Sequence, residues 1–281
     1  MGGVGSSTVT RVGFHEQLNR SWAASNSLLC VGLDPDPAVM PAGLTGDADS
    51  VFRFCVEIVD ATADLVCAFK PQIAYFASQG HETVLERLCS YVRDRHPDVT
   101  LILDAKRGDI GSTAEHYARE AFDRYGAHAV TVNPYLGTDA VTPFFEHGGG
   151  AIALCRTSNP GGHDLQSLDV GGEPLYIRVA ELVVNEWTQH GDCGLVVGAT
   201  CPDELRRVRA VVGDLPILVP GIGAQGGDPA TVVAAGSRPD GRGLMISSSR
   251  AIIHASVGDD FADAARQAAI AARLATLPAG G

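Results

Sequence analysis

Two acids and a lysine follow directly after a short apolar segment of the chain. The run 100–103 is β-branched and aliphatic, which predicts a buried strand, and Asp104, Lys106 and Asp109 come next. Side chains two apart on a strand share a face, so we expect Asp104 and Lys106 to point the same way. Charged groups that are crowded together away from water raise the free energy of the folded chain unless they pair or act on a ligand. A solvated ion pair is the simpler interpretation, but Gly108 gives the loop room to approach a ligand, and other strand ends repeat the pattern.

Such an array favours one kind of chemistry. Carboxylates interleaved between Lys70 and Lys106 favour the ammonium form of each lysine. A protonated lysine is a poor nucleophile, so Schiff-base catalysis is disfavoured. It is a good stabiliser of, and proton donor to, a developing carbanion. A carboxylate such as Asp104 would repel a substrate carboxylate beside it, and loss of CO2 would relieve that repulsion.

The elements that position these residues alternate regularly. Eight short apolar runs lie at 28–33, 65–69, 100–103, 127–132, 151–155, 194–197, 217–219 and 244–246. Eight segments of helical periodicity lie between or after them, at 51–63, 81–95, 113–125, 139–146, 174–190, 202–212, 229–235 and 259–277. The alternation predicts an α/β chain folded as a single (β/α)8 TIM barrel over residues 14–281, after a loose tail at 1–13. A doubly wound sheet is the alternative, but no GxGxxG follows the first run.

Polar residues recur where each apolar run stops, and a TIM barrel gathers these strand ends into one site. Asp34 follows the first run, Lys70 the second, Ser158 the fifth, Pro220 the seventh and Arg250 the eighth. The stretch after Pro220 is rich in glycine (Gly221, Gly223, Gly226 and Gly227) and contains Gln225. Glycines let backbone amides approach an anion, Gln225 can donate an amide hydrogen bond and Arg250 can bind phosphate bidentately, which predicts a phosphate site.

Composition excludes several classes of function. The formal net charge of -12 argues against broad binding to nucleic acid or anionic membranes. No apolar run approaches the roughly 18 residues of a membrane span, and the first residues lack the apolar segment of a signal peptide. The seven cysteines are dispersed without CxxC spacing, which favours a reducing cytoplasm. No cysteine or histidine pattern indicates a metal site.

The motifs together resemble the orotidine 5'-phosphate decarboxylase family, and most of all its longer bacterial subgroup. The resemblance runs from Asp34 to Arg250 and rests on F-K-P at 69–71, D-A-K-R-G-D at 104–109, T-S-N-P-G at 157–161 and P-G-I-G-A-Q-G-G-D at 220–228. It implies decarboxylation of orotidine 5'-phosphate to UMP and CO2, the last step of de novo UMP synthesis, without metal or cofactor. This chain departs from shorter members at Arg107, at Ser249 and in a longer 237–241 stretch.

The resemblance also implies roles for individual residues. Lys106 matches the lysine that protonates C6, Asp104 the acid beside the substrate carboxylate, and Lys70 and Asp109 complete the catalytic array. Asp109 and Thr113 match positions that reach into the partner's site, which implies a homodimer. The positions that match substrate contacts are Asp34 and Lys70 for the ribose, Ser158 for the pyrimidine, and Gln225 and Arg250 for the phosphate. Thr113, Pro220 and Gly223 are also expected to bind the substrate.

Two other functions are weighed against this one. A Mg²⁺-dependent sister enzyme acting on sugar phosphates would share the barrel, and it would require metal and form no UMP. A non-catalytic phosphonucleotide-binding protein would bind UMP without converting its precursor. The Ser158 loop and Lys70 argue against the first, and the charged array argues against the second. The Gly/Pro-rich stretch 159–172 is long for a loop, which is typical of a mobile lid.

Overall fold

The eight apolar runs form a closed barrel of parallel strands. The computed structural model of the chain describes residues 12–222 and 226–277. Its barrel strands are β1 Leu29–Leu33, β2 Ala68–Pro71, β3 Thr100–Arg107, β4 Ala129–Val132, β5 Gly150–Arg156, β6 Cys193–Val197, β7 Ile217–Pro220 and β8 Leu244–Ser248. Each strand pairs in parallel with the next, and β8 pairs with β1. The predicted TIM barrel is confirmed, because a doubly wound sheet would stay open.

Helices surround the barrel, and each of the eight predicted helical segments contains one. They are α1 Phe14–Ser25, α2 Ala48–Thr62, α3 Ile73–Ala77, α4 Glu82–Arg95, α5 Gly111–Arg119, α6 Thr142–Glu146, α7 Leu175–Asn185, α8 Pro202–Val212, α9 Pro229–Gly236, α10 Arg250–Ile253 and α11 Phe261–Ala275. The helices α1, α3 and α10 were not predicted. The helices α3 and α10 are too short to show a helical period, whereas the fourfold spacing of Phe14, Leu18 and Trp22 is a signal for α1.

Several predicted boundaries differ from the structure, and three of the differences have a local reason. The strand β2 begins at Ala68, because Ala63–Leu65 forms a 3-10 turn. The strand β3 continues to Arg107 instead of ending at residue 103. The segment predicted as a helix at 113–125 is α-helical only as far as Arg119 and continues as a π-helical turn over Glu120–Arg124. At the end of this turn the Tyr125 amide donates to the Glu120 carbonyl at 3.1 Å.

The helix α1 closes the amino-terminal end of the barrel. A Cβ at Gly150 would lie 2.6 Å from the Phe14 ring, so the first residue of β5 must be small to admit that ring. The Trp22 indole donates to the Leu244 carbonyl at 3.1 Å, which ties the same helix to β8. The tail predicted at 1–13 falls mostly on residues 1–11, which lie outside the described residues; α1 begins directly after Gly13.

Two further features bear on the predicted class of protein. None of the helices in ranges 12–222 and 226–277 has the length and apolar character that a membrane crossing needs. All seven cysteines are buried free thiols. Burial raises the pKa of Cys30, which lies on β1, to about 12, so this thiol is not a reactive nucleophile.

Candidate active site

Three of the predicted charges meet at the carboxyl-terminal end of the barrel. The Lys70 Nζ lies 2.8 Å from Asp104 Oδ2, and the Lys106 Nζ lies 2.7 Å from Asp104 Oδ1. Lys70 and Asp104 are only 5% and 7% exposed, whereas the Lys106 side chain is 48% exposed. One carboxylate is therefore held between two lysines, of which only Lys106 has substantial access to the space above the barrel. We call these three residues the charged array.

Strand register brings the array together. Lys70 is in register with Gly32 of β1, and Gln72, just past β2, bridges in parallel to Asp104 of β3. A Cβ at Gly32 would lie 1.8 Å from Ser249 Oγ, so only glycine leaves room there for the residue that follows β8. Neighbouring strand ends therefore place Lys70 and Asp104 side by side.

The array keeps its groups charged despite burial. Burial alone would raise the pKa of Asp104, but the Lys70 and Lys106 ammonium groups outweigh it and hold that pKa well below its usual range. Burial alone would lower the pKa of Lys70, but Asp104 and Asp34 outweigh it and hold that pKa above its ordinary value. Asp104 is thus a carboxylate and Lys70 an ammonium at neutral pH.

The route by which Asp104 and Lys106 meet differs from the one expected. They do not share a face of a regular strand, because the register of β3 against β4 shifts between Leu103 and Arg107. Lys106 also has φ +47°, in the left-handed region. The expectation that the two side chains lie together is right, and its reason is wrong: an irregularity in β3 turns Lys106 back toward Asp104.

A cleft of about 340 Å³ adjoins the array and is lined in part by Asp34, Lys70, Pro220 and Arg250. This volume lies within the range of small-molecule sites. Asp34 Oδ1 is buried, and no hydrogen-bond donor within the described ranges reaches it. Arg250 is exposed and begins α10, directly after the end of β8. Four of the predicted site residues therefore surround one cleft, with an unsatisfied carboxylate oxygen among them.

The glycine-rich stretch after β7 lies beside this cleft. Gly221 and Gly226 have φ of +102° and +83°, values that glycine adopts without strain. A Cβ at Gly227 would lie 2.5 Å from the Ala199 Cβ, so this glycine allows the stretch to pack closely against the residues after β6. The predicted phosphate contacts Gly223 and Gln225 lie outside the described residues.

Asp109 and Thr113 lie on the rim instead of in the array. The Asp109 carboxylate accepts a hydrogen bond from the Ile110 amide at 2.8 Å, and within 12–222 and 226–277 it forms no ion pair. Thr113 is exposed on α5. Ile110, the residue after Asp109, is 58% exposed, and Tyr135 in the loop after β4 is 78% exposed. The structure therefore separates these two predicted site residues from the Lys70–Asp104–Lys106 group of their own chain.

Ser158 follows β5 on another side of the barrel mouth. It packs against Gly198, where a Cβ would lie 2.7 Å from the Ser158 Cβ. The buried Arg156 supports this loop by donating to the Thr157 carbonyl at 2.6 Å, and Gln166 accepts from the Thr157 amide at 2.8 Å. The stretch predicted as a lid, 159–172, contains a 3-10 turn, and its residues 169–170 pair antiparallel with 173–174 just beyond it. Its closure over a ligand stays a prediction.

Comparison with known proteins agrees with this geometry. A model of the orotidine 5'-phosphate decarboxylase / HUMPS family matches residues 27–268. The chain belongs to this family. It is 61% identical over 261 residues to an orotidine 5'-phosphate decarboxylase of Ralstonia pickettii, covering 92% of this chain and 96% of the relative. It is 63% identical over 262 residues to that of Aromatoleum aromaticum, covering 92% and 97%.

Solved structures of orotidine 5'-phosphate decarboxylases share the barrel. OMP decarboxylase of Leishmania donovani superposes with a TM-score of 0.79 at 38% identity, covering 94% of this chain and 100% of that one. UMP synthase of the same organism gives a TM-score of 0.82 at 38% identity, covering 94% of this chain and 57% of that longer one. The predicted family and fold are therefore both confirmed.

Two features of this decarboxylase-family site escaped the sequence analysis. Thr131 on β4 binds Asp104 directly, with its hydroxyl donating to Oδ1 at 2.9 Å. Flanked by Val130 and Val132, it looks like an ordinary strand residue in an apolar run. The second feature was visible in the composition: Lys70 and Lys106 are the only lysines in the whole chain. That count alone singles out both amines of the array.

Proposed function

We propose that this chain decarboxylates orotidine 5'-phosphate to UMP and CO2, the last step of de novo UMP synthesis, without metal or cofactor. The observation that carries the proposal is the array Lys70–Asp104–Lys106, whose member Lys70 lines a cleft that also has Arg250 on its wall. One part of the site bears a proton donor beside a fixed carboxylate, and another bears a cation suited to phosphate. Relatives about 60% identical that are named for this activity support the same conclusion.

In the proposed reaction, the bond between C6 and the carboxylate carbon breaks and CO2 leaves. The electron pair stays on C6, where the Lys106 ammonium stabilises it. A proton then moves from Lys106 Nζ to C6, which forms the C–H bond of UMP. The side chain of Lys106 is 48% exposed, so solvent can return the proton to the amine before the next turnover.

Asp104 and Asp34 have different tasks in this proposal. Asp104, held ionised by its two lysines, lies beside the substrate carboxylate and repels it until CO2 departs. The unsatisfied Oδ1 of Asp34 accepts a hydrogen bond from a ribose hydroxyl, and Lys70 contacts the ribose from the adjacent strand. A buried acceptor without a donor is costly, so a ligand hydroxyl at this position would be favourable.

The remaining contacts are assigned to loops at the barrel mouth. Ser158 reads the pyrimidine from the end of β5. Arg250 binds the phosphate with Gly223 and Gln225 of the glycine-rich stretch, and Pro220 contacts the substrate beside them. The left-handed glycines Gly221 and Gly226 support this assignment, because they let the backbone of that stretch turn tightly.

One assay tests the activity. The protein is incubated with orotidine 5'-phosphate, with and without prior exhaustive EDTA treatment, and the loss of substrate absorbance and the formation of UMP are followed. We expect equal rates in both samples. A strict Mg²⁺ requirement without UMP formation would instead indicate the sister sugar-phosphate chemistry that the family also contains. Binding of UMP without turnover would indicate a non-catalytic protein.

We also propose that two copies of the chain form a homodimer. Ile110, Tyr135 and Leu136 are 58%, 78% and 44% exposed and lie in adjoining loops after β3 and β4. Large apolar side chains exposed together are typical of a contact surface. Asp109 and Thr113 lie beside this surface, so a partner docked there would receive them near its own array.

Complementation between two inactive variants tests the shared site. Lys106→Ala and Asp109→Ala are each expected to be inactive alone. In a hybrid dimer, one site would keep both Lys106 and the partner's Asp109, so a reassembled equal mixture should recover about a quarter of the wild-type rate. A monomeric mass in solution, or an inactive mixture whose hybrid dimer is demonstrated, would contradict the proposal.

We propose the cytoplasm as the site of action. The support is chemical: seven dispersed cysteines remain free thiols in the folded chain. Such a protein suits a reducing compartment. Fractionation of the source cells, with the protein detected by antibody, should find it with cytoplasmic markers; recovery with secreted or membrane fractions would contradict this.

A further inference from the structure

The strand β3 is irregular at the point where it carries the array. Leu103 is in register with Val130 of β4, and the next pair in register is Arg107 with Val132. The three residues 104–106 therefore face the single residue Thr131. Regular pairing resumes beyond them, since the Asn133 amide donates to the Arg107 carbonyl at 2.7 Å. The site is built on a bulge, and Thr131 is the residue opposite it.

The Thr131 hydroxyl makes three hydrogen bonds across this bulge. It accepts from the Ala105 amide and from the Lys106 amide, both at 3.0 Å. It donates to Asp104 Oδ1 at 2.9 Å. The side chain is 1% exposed, so water does not compete at this point. One oxygen thus contacts the backbone of one array member and the carboxylate of another.

The direction of each bond follows from the chemistry of a hydroxyl. It has two acceptor positions and one proton. The two amides occupy both acceptor positions, because an amide N–H can only donate. The hydroxyl proton must then go to Asp104, which is ionised and can only accept. Among side chains of similar size, serine supplies the same combination, whereas valine lacks the oxygen and cysteine binds weakly.

We infer that Thr131 is a positioning residue for the reaction: its hydroxyl sets Asp104 and Lys106 in the relative geometry that proton transfer needs. This inference rests on the proposed function. The left-handed backbone of Lys106 is unfavourable for a residue with a Cβ, so it must be held by partners. The Thr131 oxygen is such a partner, and it acts on the backbone from which the Lys106 amine reaches the site.

The kinetic test compares variants that differ by little more than one oxygen atom. Thr131→Val keeps the shape and removes the hydroxyl; we expect kcat to fall about 10- to 100-fold, as expected for lost hydrogen bonds to a charged group. KM should change less than about threefold, because Thr131 is buried away from the phosphate contacts. Thr131→Ser restores the hydroxyl and should return kcat to within about threefold of wild type.

A matched control lies at the other end of β3. Thr100 is also fully buried and forms a hydroxyl hydrogen bond, to Ser21 at 2.8 Å, but at the amino-terminal end of the barrel. Thr100→Val should leave kcat and KM unchanged. Should Thr131→Val fail to fold, the pair Thr131→Ala and Thr131→Ser gives the same comparison, with circular dichroism reporting the folded state of each.

A second readout does not depend on activity. Because Lys70 and Lys106 are the only lysines, protein labelled with [15N]lysine gives two backbone amide signals, and Lys106→Arg removes one of them and so assigns the pair. In Thr131→Val the Lys106 amide should exchange with solvent deuterium at least about tenfold faster, since it loses its acceptor. The Lys70 amide, and both amides in Thr131→Ser, should exchange as in the wild type.

The outcomes separate the inference from the function on which it rests. An unchanged Lys106 exchange rate in Thr131→Val would overturn the hydrogen bond. Faster exchange with wild-type kcat would overturn the positioning role while the proposed function stands. Wild-type protein that forms no UMP would overturn the proposed function and the positioning role together. The exchange rates would still test whether the Lys106 amide donates a hydrogen bond to Thr131.

Discussion

The two ends of the barrel use polar groups for opposite purposes. At the amino-terminal end, the Ser21 hydroxyl is satisfied within the protein, because it contacts Thr100 and the carbonyls of Gln17 and Asp98. At the carboxyl-terminal end, Asp34 Oδ1 has no donor among the described residues, and half of the Lys106 side chain is exposed. The first arrangement stabilises the fold, and the second leaves hydrogen-bonding capacity for a ligand.

Arg209 shows the amino-terminal pattern most fully. Its guanidinium donates to four carbonyls, those of Gly213, Leu215, Gly236 and Gly243, at 2.7 to 2.8 Å. These carbonyls lie just before β7 and β8 or at the end of α9, so one side chain ties several connections together. Burial lowers the pKa of Arg209 to about 10, and the group is still charged at neutral pH. If the comparison holds, substitutions at one end change stability and those at the other change activity.

The largest expected effect is at the array. Lys106→Ala removes the proton donor, and kcat should fall by about 10³-fold or more in the spectrophotometric assay. Asp104 keeps Lys70 as a partner, so the free energy of unfolding should change by less than about 1 kcal/mol. Arg124→Ala removes a cation of similar exposure from the outside of the barrel and should leave kcat unchanged. A residual rate within tenfold of wild type would contradict the role of Lys106.

The matching test at the amino-terminal end is Arg209→Met. Four carbonyls lose a charged donor, so the free energy of unfolding should fall by about 3 kcal/mol in urea titrations, while kcat and KM stay as in wild type. Arg206→Met on the same helix is the control, because that side chain is 61% exposed and its ion pair, with Asp203, lies within the helix. Its effect should stay within about 0.5 kcal/mol. A loss of activity in Arg209→Met that is still folded would contradict the separation of a stabilising amino-terminal end from a reactive carboxyl-terminal end.

The sequence predicted what depends on local pattern. Alternating apolar runs and helical periods were enough for the barrel, and charges placed directly after those runs were enough for Lys70 and Asp104. The closeness of Lys106 to Asp104 was also predicted, but the register shift opposite Thr131 was not. A bulge depends on how two strands pair, and β3 and β4 are joined through a helix, so no nearby residue signals it.

The role of Arg209 was not predicted for the same physical reason. Arg209 lies on α8 among exposed arginines, and nothing in the spacing of that helix distinguishes it from Arg206. Its four carbonyl partners come from three different segments that only the folded chain assembles. The helix α1 was overlooked for a different reason: its start, Gly13, provides no side-chain cap, although its apolar spacing was readable.

A smaller effect is expected at the phosphate side of the cleft. Arg250→Met removes a charged hydrogen-bond donor, so kcat/KM for orotidine 5'-phosphate should fall about 10- to 100-fold. Arg250→Lys keeps the charge but loses the planar fork and should recover only part of that loss. Because Arg250 is exposed, stability should stay within about 0.5 kcal/mol. A loss of stability without a kinetic effect would show that Arg250 has a structural role like that of Arg209. It would contradict the proposed phosphate contact.

The smallest effect concerns Asp104, which belongs to both sides of the comparison because it is buried like a structural group and charged like a functional one. Its folded pKa is held below the unfolded value of about 3.9, so its contribution to stability is fully present above that pH. As the pH falls below about 3.9, the unfolded chain binds a proton that the folded chain does not, and stability declines. At pH 3 this loss should be about 1 kcal/mol.

Asp104→Asn isolates that contribution from the other acids of the chain. Urea titrations of wild type and variant at pH 6 and pH 3 give two differences in unfolding free energy, and the second should be smaller by about 1 kcal/mol. In the wild type Lys70 stays an ammonium throughout this range, because Asp104 and Asp34 hold its pKa above its ordinary value. A difference that is the same at both pH values would mean that the two ammonium groups do not hold Asp104 ionised. The carboxylate that repels the substrate in the proposed reaction would then not be kept ionised by its neighbours. Asp104 would in that case belong with the groups that stabilise the fold, and not with those that act on the substrate.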